Sequence, residues 1–244
     1  MRYLIAIFSF VLSILPAIAQ EEASTFVEKG AIAYERGDFE GAAKAFNEAL
    51  EQNGSNASLL YNLGNAHYQS GNYGQAIVDY ERALFLDPRA SDIRTNLEMA
   101  RNATTAFEEK SEPAIWEKPL HWLSLNEWFL ACGIAAGLLA VVSLMRAFLS
   151  GRKGQVSLRW VTVVSLFVLA IGVSALILRQ GELDRAIVLR PGTEVRLSPF
   201  STADVVATLR EGQGVQIQEE HEGFYLLSKG WVSKEDLQKV CADS

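Results

Sequence analysis

The chain has 244 residues, of which 49% are hydrophobic, and its formal net charge is −7. An acidic chain gives no basis for nucleic-acid binding, and its two cysteines, Cys132 and Cys241, fall in regions too far apart to predict a disulfide. The apolar residues are concentrated in three uncharged runs, which indicates a chain associated with a membrane.

The first apolar run lies at the N-terminus. A basic start at Arg2 is followed by apolar residues to Leu15, a break at Pro16 and a small-residue sequence ending at Ala19. This layout is typical of a secretory signal peptide, so we expect residues 1–19 to be removed by cleavage after Ala19. An uncleaved membrane anchor is the alternative, but the apolar core is short for spanning.

Two copies of one pattern follow, with a period of about 34 residues. The matching pairs are Gly30 and Gly64, Gly37 and Gly71, Phe39 and Tyr73, Ala42 and Ala76, Phe46 and Tyr80, and Ala49 and Ala83. The residue pattern of each unit predicts two antiparallel helices that approach each other closely at a glycine. The pattern resembles the tetratricopeptide repeat almost position for position. We therefore expect a repeat domain over residues 23–110, with repeats at 23–56 and 57–90 and a capping helix at 91–107 that seals the stack.

In the family that the repeats resemble, the first helix of each unit lines a concave groove that binds proteins. The residues that the resemblance places there are Tyr34, Tyr61, Asn62, Asn65, Tyr68 and Gln69. Aromatic and amide side chains suit an extended peptide or a partner helix. For Tyr34 and Tyr68 the alternative is packing of helix on helix. Some such domains grip a terminal carboxylate with lysine, arginine and asparagine, but here only Asn62 matches that set.

The second and third apolar runs, Trp128 to Met145 and Trp160 to Leu178, are long enough to cross a membrane. We expect a linker at 111–127, a first membrane helix at 128–148, a loop at 149–159 and a second membrane helix at 160–178. Two core helices of a soluble domain are the alternative, but the flanking sequence is too short to bury them.

Basic residues flank and fill the connection between the two runs, and it contains no acid. They are Arg146, Arg152, Lys153 and Arg159. Positive charge favours the cytoplasmic side, so both flanking regions are expected outside the cytoplasm. Gly133 and Gly137 in the first run, with Ala170 and Ser174 in the second, suggest close packing of the two helices as a hairpin; homodimerisation is the alternative.

The C-terminal segment consists of short strand-like runs separated by turn formers such as Pro191-Gly192, Gly212 and Gly223. Its order resembles bacterial SH3-like barrels, which predicts an all-β domain over residues 184–240. Four residues could border a groove for a peptide or a glycan: His221, Phe224, Tyr225 and Trp231. The alternative is that these aromatic side chains fill the core of a small barrel.

Signs of catalysis are nearly lacking in the sequence. It contains no phosphate-binding loop, nucleophile elbow or zinc-protease motif, and His67, His121 and His221 are scattered over three regions. We expect His67 to be solvated or to pack within the repeats. The chain is therefore predicted to be non-enzymatic and to need no cofactor or metal.

The complete order of parts resembles the BatE family of the Bacteroides-aerotolerance operons. The more specific signs are Asn96-Leu97-Glu98 in the last repeat helix and the membrane entry from Leu123 to Trp128. The resemblance implies a bacterial inner-membrane protein with periplasmic terminal domains. It also implies von Willebrand-type membrane proteins as partners and, indirectly, a MoxR-type AAA+ ATPase, in envelope stress tolerance or aerotolerance.

Two functions follow as hypotheses from this order of parts. One is a scaffold whose repeats and SH3-like domain present surfaces to partner proteins. The other is an envelope sensor whose SH3-like domain binds peptidoglycan or a peptide and signals through the hairpin.

Overall fold

A computed structural model describes residues 25–104, 122–148 and 152–241. The expected signal peptide, the end of the expected capping helix and most of the expected linker lie outside these residues. The chain divides into two compact units, one made of Met1–Glu109 with Asp184–Ser244 and the other of Lys110–Leu183. The first unit therefore contains both the repeat helices and the C-terminal β domain.

Five helices form the repeat part of the first unit. They are α1 (residues 25–35), α2 (Phe39–Asn53), α3 (Ala57–Gln69), α4 (Tyr73–Leu86) and α5 (Ser91–Ala103). Side chains cap two of them, since Asp38 accepts a hydrogen bond from the Gly41 N–H at 2.9 Å and Asn56 accepts one from the Leu59 N–H at 2.8 Å. The helix pairs α1–α2 and α3–α4 coincide with the two predicted repeats.

A glycine in the first helix of each repeat allows an aromatic ring of the second helix to lie against it. A Cβ atom on Gly30 would lie 2.5 Å from Phe46, and one on Gly64 would lie 2.7 Å from Tyr80. Both rings are almost fully buried. The two repeats therefore share the same internal packing, as their matched residues predict.

The C-terminal domain is all-β, with eight short strands. They are β1 (Arg185–Val188), β2 (Thr193–Arg196), β3 (Val205–Leu209), β4 (Gly214–Gln216), β5 (Glu219–His221), β6 (Phe224–Leu227), β7 (Gly230–Ser233) and β8 (Leu237–Lys239). All pairings are antiparallel, in the orders β4-β1-β8 and β3-β2-β7-β6-β5. A core that includes Val188, Val195, Leu227 and Val232 lies between them.

The all-β character that we expected is confirmed, but the strands form two sheets and do not close into one barrel within the described residues. The chain passes from one sheet to the other after β4, where Ile217 N–H bonds to the Asp184 carbonyl and Gln218 N–H bonds to the Leu226 carbonyl. Within the described residues, β3 and β8 remain edge strands of separate sheets, so the ladder does not close there.

The second unit contains two long apolar helices, α6 (Leu125–Phe148) and α7 (Arg152–Leu178). Their candidate spans, Leu125–Met145 and Arg159–Leu178, have mean hydropathies of 2.2 and 2.7, so each is long and apolar enough to cross a membrane.

Both helices begin earlier than predicted. Before α6, the Ser124 N–H donates to Glu127 Oε2 at 2.8 Å and the Glu127 N–H donates to Ser124 Oγ at 3.2 Å, a capping box that starts the helix ahead of residue 128. Residues 152–159, expected to be loop, belong to α7, because this basic segment holds no proline and its one glycine only weakens a helix.

Helices α6 and α7 pack on each other, but not through the glycines that we expected. A Cβ atom on Gly133 or Gly137 would meet nothing within 4 Å, whereas one on Gly172 would collide with Cys132 of α6. A spacing of four residues shows that Gly133 and Gly137 share a helix face, but not which neighbour that face meets. The assignment of these two glycines to the hairpin contact was wrong.

A buried arginine connects the start of α6 with the end of α7. Arg179, 4% exposed, donates to the Leu123 carbonyl at 2.7 Å and pairs with Glu182 at 2.9 Å. The chain segments before α6 and after α7 are therefore joined by charge-assisted hydrogen bonds.

Candidate protein-binding groove

The repeat helices enclose a groove whose main cavity has a volume of about 280 Å³. Its lining consists of Tyr34, Tyr61, Asn65, Tyr68, Gln69, Tyr80, Asn96 and Met99. Five of the six residues predicted for the concave face thus lie together. The sixth, Asn62, lines a neighbouring cavity of about 170 Å³ that shares Tyr34 and Asn65 with the first.

Hydrogen bonds fix four of the polar side chains of the groove, those of Tyr61, Asn65, Tyr80 and Asn96. Asn65 Oδ1 accepts one bond from the Tyr80 hydroxyl at 2.7 Å and another from Asn96 Nδ2 at 2.8 Å. Asn96 Nδ2 also donates to the Tyr61 hydroxyl at 3.1 Å. Burial raises the pKa of Tyr80, with a smaller contribution from the neighbouring Tyr61, so its hydroxyl stays protonated as a donor. The network connects α3, α4 and α5 and orients both amides.

Sequence reasoning missed Tyr80 and Asn96 as members of this groove. Tyr80 entered the sequence analysis only as the match of Phe46 in the repeat pattern. Its ring lies over Gly64, and its hydroxyl donates a hydrogen bond to Asn65. Asn96 follows Asn62 by one repeat period, so that period could have identified it.

Tyr34 and Tyr68 each pack against a neighbouring helix and also line the groove, so packing does not remove either from the candidate site. Tyr34 meets Phe39 edge-on at a centroid distance of 5.2 Å, and Tyr68 meets Tyr73 at 5.5 Å. Each ring therefore contacts the first residue of the next helix while it borders a cavity.

Charge is scarce in this groove. Glu35 is the one ionisable acid or base, other than tyrosine, among the described residues that line the two cavities. Neither lining includes a lysine or an arginine, so a clamp for a carboxylate is not assembled from these residues.

The structure places three of the four candidate groove residues of the β domain on one face of the five-stranded sheet and the fourth on the other face. His221 is paired with Phe224, and Leu226 with Trp231, so these side chains share one face of the five-stranded sheet. The His221 and Trp231 rings meet edge-on at 6.0 Å. Tyr225 lies on the opposite face, where it packs against the core of the domain.

The described residues were compared with the expectations for metal binding and for His67. No group of three or more histidine, cysteine, aspartate or glutamate side chains there could hold a metal ion. His67 is bound rather than solvated, since its Nδ1 lies 2.6 Å from Asp79 Oδ2. Burial raises the pKa of Asp79, against the opposing effect of His67.

Residues 27–91 match the family model of the tetratricopeptide repeat. Helices α1 to α4 are therefore tetratricopeptide repeats. The chain is also similar to the SGT1 homologue of Oryza sativa subsp. japonica, with 35% identity over 71 residues. That match covers 29% of this chain and 19% of the rice protein, so it spans a minor part of either. Tetratricopeptide repeats imply protein partners and indicate an interaction scaffold.

Proposed function

We propose that this chain is a non-enzymatic, membrane-anchored scaffold whose repeat groove binds an extended segment of a partner protein. The observation that carries the proposal is the fixed network of Tyr61, Asn65, Tyr80 and Asn96 in the main cavity. A groove with preoriented polar groups loses little conformational entropy when a ligand binds.

The orientation of the two amides defines what they offer to a ligand. Asn65 Oδ1 already accepts two hydrogen bonds, which leaves its Nδ2 hydrogens as donors to the cavity within the described part of the chain. Asn96 uses both Nδ2 hydrogens, which leaves its Oδ1 as an acceptor. A donor beside an acceptor complements the C=O and N–H of a peptide backbone.

The charge of the groove narrows the ligand further. Glu35 would repel an acidic side chain, and the described lining holds no cation to pair with one. We therefore expect a neutral or basic extended segment, bound through its backbone and through apolar contact with the tyrosine rings.

The packing of the first unit supports a common location for the two folded domains. The repeat helices and the β domain belong to one compact unit, although α6 and α7 lie between them in the chain. If both helices span the membrane, the two domains lie on the same side of it. With the basic connection in the cytoplasm and residues 1–19 as a signal peptide, that side is the periplasm.

The partners that we propose come from the resemblance to the BatE family. They are von Willebrand-type membrane proteins, with a MoxR-type AAA+ ATPase acting indirectly, in a complex for envelope stress tolerance or aerotolerance in the bacterial inner membrane. The SH3-like character of the β domain belongs to the same proposal, supported by its short strands and all-antiparallel pairing.

Site-specific photocrosslinking in intact membranes tests this function. A photoreactive residue would replace Gln69, an exposed residue that lines the groove, and in a matched control Lys44, which is exposed on α2. We expect a von Willebrand-type membrane protein to crosslink at position 69 and not at position 44. Equal crosslinking at both positions, or none at position 69, would overturn the proposed groove function.

The second candidate function is an envelope sensor that binds peptidoglycan or a peptide through the β domain. It is favoured by the shared face of His221, Phe224 and Trp231, because aromatic side chains on an accessible surface can stack on a ligand. A cavity of about 340 Å³ borders Phe224 on this domain.

Sedimentation of the full chain with purified cell wall separates the sensor from the scaffold. The sensor predicts retention that falls when His221, an exposed residue, is replaced by alanine. The scaffold predicts no retention of either protein.

A further inference from the structure

The β domain packs against helix α4 of the second repeat, inside the first unit. Ile187 of β1 and Val240 belong to the same buried cluster as Ile77 of α4 and Leu97 of α5. Gly212 lies so close that a Cβ atom there would be 2.5 Å from Ile77 and 2.9 Å from the Thr104 hydroxyl. The apolar core of the repeats is therefore completed by residues that lie 90 or more positions away from Ile77 and Leu97 in the chain.

A buried carboxylate connects three elements at this contact. Glu81 of α4, whose side chain is 9% exposed, pairs with Arg185 of β1 at 2.7 Å and with Arg101 of α5 at 2.5 Å. Burial alone would raise the pKa of Glu81, but the hydrogen bonds and charges of Arg185 and Arg101 outweigh it and hold the pKa below its ordinary value. Both arginines thus bind one ionised group.

The β domain also contacts both ends of α4. At the N-terminal end, Asn72 makes no side-chain capping bond, and the Gly74 N–H donates instead to Glu211 Oε1 of the β domain at 2.9 Å. Further along, Arg82 donates to the carbonyls of Lys239 and Val240 at 2.9 and 3.1 Å. The β domain therefore provides an N-terminal capping hydrogen bond for α4 that the repeat itself does not provide.

Helix α5 connects this contact to the groove. Its Arg101 binds Glu81, and Thr104 at its end lies against Gly212. The same helix contributes Asn96 and Met99 to the lining of the main cavity. We infer that the C-terminal β domain binds the repeat domain of its own chain as a terminal cap, positions α5 and thereby completes the groove. This inference goes beyond the proposed function and does not depend on what the groove binds.

Hydrogen exchange measured by mass spectrometry on the full chain in detergent tests the inference without any ligand. The first variant is Gly74→Ala, whose Cβ would lie 2.9 Å from the Leu189 carbonyl oxygen. Alanine is the better helix former, so the change favours α4 itself while it separates the β domain from it. Loss of α5 protection in this variant would not come from a weakened α4.

The second variant, Arg185→Gln, removes the cation that the β domain gives to Glu81. The control is Arg190→Gln, because Arg190 is a largely exposed arginine of the same domain that pairs with Asp236 at 3.5 Å. We expect exchange in β1 and α5 to accelerate by at least about tenfold in Gly74→Ala and Arg185→Gln, since both disturb buried contacts. Residues 25–53 and the control should exchange as in the wild type.

Three results would overturn the inference. If β1 exchanges faster in the variants while α5 does not, then the repeats position α5 by themselves. If neither variant accelerates exchange in β1, then these contacts do not hold the β domain on the repeats. Faster exchange throughout residues 25–104 would also contradict it, because the β domain would then support the whole repeat stack rather than α5.

Discussion

The outer faces of the two repeats differ as much as their inner faces agree. Inside, Phe46 lies over Gly30 as Tyr80 lies over Gly64. Outside, the exposed residues Glu40, Lys44 and Asn47 of α2 correspond to Gly74, Val78 and Glu81 of α4, of which Gly74 and Val78 are buried and Glu81 has a side chain only 9% exposed. A polar surface in the first repeat is a docking surface in the second.

This difference shows how a repeat can be adapted to a partner without a change in its fold. Gly74 has no side chain, so the backbone of the β domain can approach it closely. Val78 is apolar, so its burial leaves no polar group without a hydrogen-bond partner. A carboxylate at position 81 then binds arginines from two other elements. Departures from the repeat pattern thus mark the positions that another part of the molecule contacts.

The largest effect is expected for Glu81→Gln, which leaves Arg101 and Arg185 facing a neutral amide in a buried site. Breaking a buried ion pair from one side costs about 3 to 5 kcal/mol. The free energy of unfolding would be measured by denaturant titration of the full chain in detergent. The control is Glu51→Gln, the same chemical change on an exposed residue of α2, which should alter stability by less than about 0.5 kcal/mol. Equal losses would mean that the two outer faces do not differ energetically.

The stabilising effect of Glu81 should depend on pH. Its pKa in the folded protein lies below the ordinary value of 4.5, so the stabilisation is fully present above that value and is lost as the pH falls through the folded pKa. The stability difference between wild type and Glu81→Gln should therefore narrow as the pH falls below the ordinary value of 4.5 and through the folded pKa. Because Asp79 is present in both proteins, its own titration largely cancels. A constant difference over this range would show that the charge of Glu81 contributes nothing.

The substitutions Gly30→Ala and Gly64→Ala test whether the inner packing of the two repeats is equivalent. Each new Cβ would collide with the aromatic ring of the following helix, and overpacking of this kind costs about 1 to 3 kcal/mol. We expect both variants to lose stability by similar amounts in the same denaturant titration. A large loss at one position only would show that the inner packing of the repeats is not equivalent.

The features that the sequence predicts well are local or periodic. A period of about 34 residues defines both repeats, and helical spacing then places Tyr61, Asn65 and Tyr68 on one face. Short apolar runs separated by turn residues also indicate the all-β character of the C-terminal domain, and β1 to β4 lie on such runs.

Apart from Tyr80 and Asn96, the features that were missed depend on contacts between distant parts of the chain. Arg185 and Glu81 are 104 residues apart, and the sequence around either residue does not identify the other as its partner. The strand order is also non-local, so the division into two sheets did not follow from the runs themselves. The departures of Gly74 and Glu81 from the first repeat were visible, but one sequence does not show whether such a departure is adaptation or drift.

The smallest effect is expected for Tyr80→Phe, which gives the second repeat the ring that the first repeat has at Phe46. The change removes the hydroxyl that donates to Asn65 at 2.7 Å, and loss of one such bond costs about 1 kcal/mol. Without this donor Asn65 can rotate, so crosslinking at position 69 should also fall. The reciprocal change, Phe46→Tyr, should give no gain, because Ala31 occupies the position equivalent to Asn65 and offers no amide oxygen. If Tyr80→Phe left both stability and crosslinking unchanged, the amide network would not be what orients the groove, and the partner would be recognised by the tyrosine rings alone.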